Sequence, residues 1–187
     1  MPKPHDVVVV IGPSGSGKSS VVRELHARGL VSVRPTWTTR PRRHDETHGS
    51  VEHRFVSESD FDQLTAKEFF LDTISMFGLP HRYGLPRPSC QDGVELVMLR
   101  APLVARFRQF VPNFAVYQVE DDAARTAERL MERRYDANEF AARLADNSRE
   151  MDAGRAVADR VFVNNRSINE LADDMAEALR IDALVAA

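Results

Sequence analysis

Eight consecutive residues near the start of the chain, Gly12-Pro13-Ser14-Gly15-Ser16-Gly17-Lys18-Ser19, meet the pattern G-x-x-x-x-G-K-[ST] at every defined position. Glycines at these positions let the backbone coil until its N–H groups converge on one point. A helix that begins there adds its positive dipole end to the same point. Such a loop holds the phosphates of a nucleoside triphosphate such as ATP. Lys18 would reach the β- and γ-phosphates, and Ser19 would ligate Mg²⁺. A second cluster, Thr36-Trp37-Thr38-Thr39-Arg40-Pro41-Arg42-Arg43, brings three hydroxyls and three guanidiniums within eight residues. Arginine grips a phosphate bidentately and hydroxyls complete the cradle, so this cluster suits an acceptor that already carries phosphate.

The elements that must position these groups follow from the pattern. Val7-Val8-Val9-Val10-Ile11 is a continuous β-branched run, as expected of a strand buried on both faces of a parallel sheet. Residues 19–29 then read as a helix closed by Gly29. Strand, glycine turn and helix in thirty residues open an α/β fold. Residues 31–88 hold five of the ten prolines and shorter polar and aromatic segments. They read as an inserted lobe with one helix starting at Ser57-Glu58-Ser59-Asp60-Phe61. Further strands are expected at 94–99, 114–119 and 161–163. Helices are expected at 103–110, from the Asp121-Asp122 cap to Arg134, at 137–153 with Phe140, Leu144 and Met151 at helical spacing, and at 168–184. Alternating strands and helices predict a largely parallel sheet with right-handed crossovers.

Composition excludes other classes. The 187 residues are 43% hydrophobic and 28% charged, with a formal net charge of −3. Disorder needs lower hydrophobicity and a larger charge imbalance, and a general nucleic-acid binder would carry a basic surplus. Cys90 is the single cysteine, so no internal disulfide forms. The early apolar run is too short for a membrane span or a signal-peptide core. A cytoplasmic protein with no membrane partner is expected. Arginine outnumbers lysine 22 to three, an excess that locates no site by itself.

On these residues together the chain resembles guanylate kinase and its close relatives. The matching pieces are the loop at 12–20; Thr38-Thr39-Arg40-Pro41-Arg42-Arg43; Phe55-Val56-Ser57 ahead of Phe61; Arg82-Tyr83-Gly84; Phe140 with Arg143-Leu144; and Val161-Phe162-Val163-Asn164. They occur in family order from residue 7 to residue 180. The resemblance implies a single domain with a P-loop α/β core at 5–34 and 89–187, an acceptor-binding lobe at 35–88 and a helical lid at 129–143. It implies ATP and Mg²⁺ as cofactors and transfer of the γ-phosphoryl group to GMP, giving GDP and ADP. ATP would be held by Gly12, Pro13, Ser14, Gly15, Ser16, Gly17, Lys18, Ser19 and Ser20, with Asn164 beside the adenine. Arg40, Arg43 and Tyr83 would hold the acceptor's phosphate. His53 stands near a family tyrosine that also contacts that phosphate, Thr36 near a hydroxyl residue beside the guanine, and Asp72 where a glutamate reads the guanine edge. Arg133 or Arg134 of the lid, with Arg143, would approach the transferring group beside Lys18.

The chain departs from the family in three ways. Met98 and Arg100 replace an acidic D-x-D pair, Leu85 replaces a serine or threonine, and Asp72 is shorter than the expected glutamate. All three concern the acceptor. Gly78-Leu79 with Tyr83-Gly84-Leu85-Pro86, and Asn164-Asn165, resemble instead a sister group, ribose 1,5-bisphosphate phosphokinase. That makes ribose 1,5-bisphosphate the second candidate acceptor. A non-catalytic nucleotide-binding module is the third reading, against which the intact Lys18 and Ser19 argue. Arg100 is expected to point into the cleft, where it either pairs with a carboxylate such as Asp72 or holds a second phosphate on the acceptor; the second is preferred.

Overall fold

The computed structural model describes residues 7–42, 46, 50–76, 78–87, 93–133, 135 and 137–185, the side chains of 183–185 excepted. Arg43, Arg134 and Cys90 therefore lie outside the described residues. Among the described residues, nine strands form two sheets. The larger is all parallel, in the order β2 (Ser32–Arg34), β7 (Glu95–Met98), β1 (Val7–Ile11), β8 (Ala115–Glu120), β9 (Arg160–Val163). Both faces of β1 are buried, as its unbroken β-branched run requires. Val8 and Val10 pack with α1 (Lys18–Ala27) and α6 (Ile168–Val185). Val9 and Ile11 pack on the opposite side with Ala101, Val104 and Phe107, from a 3-10 turn (Ala101–Leu103) and α3 (Val104–Phe107).

The register aligns Val10 with Met98 and Ile11 with Gln118. The carboxyl ends of β1, β7 and β8 therefore open on one edge, where parallel sheets place their ligands. Gly12 leaves β1 at that edge, Arg100 leaves β7, and Asp121 leaves β8. Asp122 accepts from the N–H of Ala124 at 2.8 Å and so starts α4 (Ala123–Glu132). After it comes α5 (Ala137–Arg155).

The smaller sheet has the order β4 (His53–Phe55), β3 (Thr36–Thr38), β6 (Arg82–Pro86), β5 (Phe70–Ser75). Its strands are short, and aromatic packing supports it. Phe61 of α2 (Glu58–Ala66) stacks on Phe70 with centroids 4.8 Å apart, and Trp37 and Phe69 meet edge to face at 5.2 Å. The helix starts as its sequence predicts, with Ser57 Oγ accepting from the Asp60 N–H at 3.0 Å. No helix among the described residues is long and apolar enough to cross a membrane.

Gly84 lies opposite Trp37 in this sheet and beside the Phe70 ring. A Cβ at Gly84 would stand 2.7 Å from two carbons of that ring. Gly84→Ala is therefore expected to overpack the lobe, at a cost of about 1–3 kcal/mol in urea unfolding. An unchanged midpoint would show that Phe70 moves aside freely.

Candidate active site

The loop after β1 is gripped from outside. Three consecutive carbonyls each accept from a different element: Ser14 O from Asn147 Nδ2 at 3.0 Å, Gly15 O from Arg129 at 2.9 Å, and Ser16 O from Asn164 Nδ2 at 2.9 Å. Asn147 completes an amide pair by accepting from the Ser14 N–H at 2.9 Å. Arg129 is itself held against the buried Asp121 at 2.7 Å. The N–H groups at the start of α1 have no acceptor within the helix, and Gly17, Lys18 and Ser19 there line the cleft. Gly12, Gly15 and Gly17 have φ of 135°, 86° and 100°, and a Cβ at any of them would run into Val119, Thr126 or Asn164. The sequence pattern is thus a steric requirement here.

Lys18 folds back over this loop, donating to Gly12 O at 2.6 Å and Pro13 O at 2.7 Å. Burial pushes its ammonium down to about 7. The Glu150 carboxylate opposes that shift, while Arg133, Arg100 and Arg143 add to it. Glu150 is 2% exposed and accepts from the Ala101 N–H at 2.8 Å and from Arg100 at 2.9 and 3.2 Å. Arg100 also pairs with Asp146. The departing residue at the end of β7 is therefore matched by two carboxylates from α5. Asp72 is not its partner: that carboxylate is paired with Arg106 of α3 at 2.5 Å.

Across the same cleft the smaller sheet presents Thr36, Arg40, His53, Asp72, Tyr83 and Leu85. Arg40 is 5% exposed and bidentate to Glu46 at 2.5 and 2.7 Å, with its guanidinium 4.9 Å from the Phe55 ring centre. Burial opposes its charge, but the Glu46 hydrogen bonds and charge prevail and hold it above the usual arginine value. Strand pairing sets Thr36 beside His53 and Thr38 beside Tyr83. From the third side, Arg133 at the end of α4 and Arg143 of α5 line the cleft. Arg143 is bonded to Glu139 at 2.7–2.8 Å and lies 4.6 Å from the Tyr135 ring centre.

Most of the expected residues line this one cleft: Gly12, Ser14, Gly15, Gly17, Lys18, Ser19, Thr36, Arg40, His53, Asp72, Tyr83, Arg100, Arg133 and Arg143. Pro13 and Ser16 are buried in the loop itself, and Ser20 is exposed beside it. Asn164, expected beside the adenine, is buried beneath the loop and donates to its backbone.

Four residues that the sequence reading did not single out bear on the site: Arg129, Asp146, Asn147 and Glu150. The last three lie on α5, whose signal is a polar stripe, while Arg129 stands on α4. Arg143, Asn147, Glu150 and Gly154 recur at i, i+4, i+7 and i+11 and are all buried. The apolar spacing in the same helix misleads, since Leu144 is 40% exposed. This helix turns its polar face inward because that face meets the loop and the end of β7.

A family model for guanylate kinase matches residues 5–89. The chain is 32% identical over 180 residues to the guanylate kinase of Thermobifida fusca (strain YX), covering 92% of this chain and 90% of that one. It is 30% identical over 167 residues to the ribose 1,5-bisphosphate phosphokinase PhnN of Acidiphilium cryptum (strain JF-5), covering 84% and 86%. The crystal structure of guanylate kinase from Anaplasma phagocytophilum shares the fold, with a TM-score of 0.72 over 96% of this chain and 87% of that one, at 22% identity.

The depressed Lys18 has a measurable consequence for the free protein. Between about pH 7 and 10.5 the unfolded chain holds more proton at this lysine than the folded chain, so stability rises with pH across that window. Lys18→Met lacks the buried charge and is expected to be more stable than the native protein below pH 7. The gap should narrow as pH rises to 9, as read by urea unfolding. A gap independent of pH would remove burial of the charge as its cause.

Proposed function

Because the chain belongs to the guanylate kinase family, we propose that its cleft transfers the γ-phosphoryl group of ATP to the phosphate of a small acceptor, with GMP the leading acceptor. The observation that carries this is the shared cleft: the glycine loop with Lys18 and the lobe with Arg40 and Tyr83 face one space. Donor and acceptor phosphates bound at these two ends would meet without a covalent enzyme intermediate.

The residues fit the two groups the reaction requires. The loop's outward carbonyls and side-chain-free glycines leave a cradle of N–H donors for a triphosphate. For Mg²⁺ the chain offers the Ser19 hydroxyl. No cluster of three His, Cys, Asp or Glu stands ready for a metal among the described residues, so phosphate oxygens and water would complete the shell. The metal would neutralise charge on the β- and γ-phosphates. In our reading Lys18 exchanges its loop carbonyls for phosphate oxygens and regains full charge in doing so. Arg133, Arg134 and Arg143 face the transferring group from the 129–143 lid, which closes when both ligands are present. Arg40, Arg43 and Tyr83 take the acceptor's phosphate, with Arg40 released from Glu46, and Thr36, His53 and Asp72 stand beside its base. The reaction is assigned to the cytoplasm, where ATP is available.

One observation favours ribose 1,5-bisphosphate as a second candidate: the Acidiphilium cryptum relative bears the name of that activity. The lysine and the lid arginines in the cleft argue against a module that only binds.

ADP release with ATP, Mg²⁺ and GMP or ribose 1,5-bisphosphate tests the reading. Lys18→Ala is expected to abolish transfer with the fold intact, because it removes charge stabilisation rather than packing. Turnover near normal in a folded variant would remove Lys18 from this role. Arg40→Ala is expected to weaken acceptor binding by about 1.5–3 kcal/mol and leave ATP affinity nearly unchanged, as read by titration calorimetry. The reverse pattern would assign that arginine to the donor.

A further inference from the structure

Around the acceptor end of the cleft, the groups that could read a base are already committed. Thr36 Oγ1 lies 2.6 Å from His53 Nδ1 and 3.3 Å from Glu52 O. Its one proton is used inside the lobe with either partner. Asp72 Oδ1 accepts from the Thr73 N–H at 2.8 Å and is paired with Arg106 at 2.5 Å. That leaves at most Oδ2 for a ligand. Arg100 donates to Glu150 and Asp146. The positions next to these, Leu85 and Met98, carry no hydrogen-bonding group beyond a weak thioether and line the same cleft.

We infer that the acceptor is a nucleoside monophosphate selected by its phosphate and by apolar contact with its base, so that guanine and adenine are weakly distinguished. The inference rests on the nucleotide-phosphorylating reading above. The guanine edge presents two adjacent donors, N1–H and N2–H₂, beside the O6 acceptor. An uncommitted carboxylate takes both donors at once, and that bidentate fit is what excludes adenine. With Oδ1 filled by the Thr73 and Arg106 donors, Asp72 cannot set two open oxygens against that pair, so guanine loses the bidentate contact that would set it apart from adenine. O6 meets no uncommitted hydroxyl at Thr36. Sites that hydrogen-bond a substrate group reject an analogue lacking it by about 10⁴–10⁵, whereas apolar pockets discriminate by about 10–200. The Leu85 and Met98 walls belong to the second kind.

The test is kcat/KM for GMP, IMP and AMP with ATP and Mg²⁺ on the full chain, read as ADP release. GMP and AMP should agree within about 100-fold, and IMP, which lacks the N2 amine, should fall within a few-fold of GMP. Two variants restore base-reading capacity separately. Arg106→Ala leaves Asp72 Oδ1 with the Thr73 N–H alone and so reopens one acceptor site on it, and Leu85→Ser adds a hydroxyl. At least one should raise the GMP-to-AMP ratio by about tenfold, the equivalent of one added discriminating hydrogen bond of about 1.4 kcal/mol. A native preference for GMP over AMP of 10⁴ or more would overturn the inference and leave the kinase reading standing. No ADP above the ATP-only background with any of the three monophosphates would overturn the nucleotide-phosphorylating reading itself.

Discussion

The site depends on which way three peptide carbonyls point. A backbone that turns Ser14, Gly15 and Ser16 carbonyls outward must satisfy them there, because a buried carbonyl without a partner costs about 1–3 kcal/mol. Asn147, Arg129 and Asn164 do so from α5, α4 and the segment after β9. The loop is therefore held by elements up to 148 residues distant in sequence, and its inward concavity is in place before any phosphate arrives. Such preorganisation is where an enzyme of this kind gains most, since donors already aimed at a phosphate need no reorganisation during the reaction. Asp121 extends the same arrangement: it fixes Arg129, and Arg129 fixes Gly15.

A second constraint is charge. Lys18, Arg100, Arg133 and Arg143 crowd the cleft, and without ligands they repel one another. Glu150 and Asp146 relieve part of this at Arg100, and Glu139 and the Tyr135 ring relieve part at Arg143. Buried pairs of this kind add little net stability, because desolvation offsets most of their attraction. Their value lies in geometry: Glu150 binds both the Arg100 guanidinium and the Ala101 N–H, and so joins α5 to the end of β7.

The central strand, the phosphate loop and α1 were legible because each depends on local rules: a β-branched run, glycines at positive φ, and an apolar helix face ended by Gly29. The Ser57 and Asp122 caps were legible for the same reason. The smaller sheet was less so. Strands of three residues, such as β3 and β4, carry too little periodicity to distinguish strand from loop, and the aromatic contacts that hold them are nonlocal. In the site, residues that line the cleft through a motif were readable, whereas those that support the motif were not. Asn147 is an ordinary helical asparagine until the loop 133 residues away meets it. Likewise the sequence offers Asp72 as a partner for Arg100, but α3 brings Arg106 to Asp72 and α5 brings two carboxylates to Arg100.

These exchanged pairs bear on how the two halves of the cleft act together. The Asp72–Arg106 pair ties β5 of the smaller sheet to α3, which packs under the parallel sheet. The Arg40–Glu46 pair stays within the lobe and fills the arginine's fork with a carboxylate where an acceptor would bring a phosphate. On the proposed reading an acceptor phosphate, which carries more charge than one carboxylate, would replace Glu46 on Arg40 and reach Tyr83. Loss of the Lys18 bonds to Gly12 and Pro13 follows the same logic at the donor end. On the proposed reading, an internal oxygen in both halves stands in for a phosphate oxygen until the ligand displaces it. The cations are held meanwhile by the protein's own oxygens, at the positions where the proposed transfer would use them.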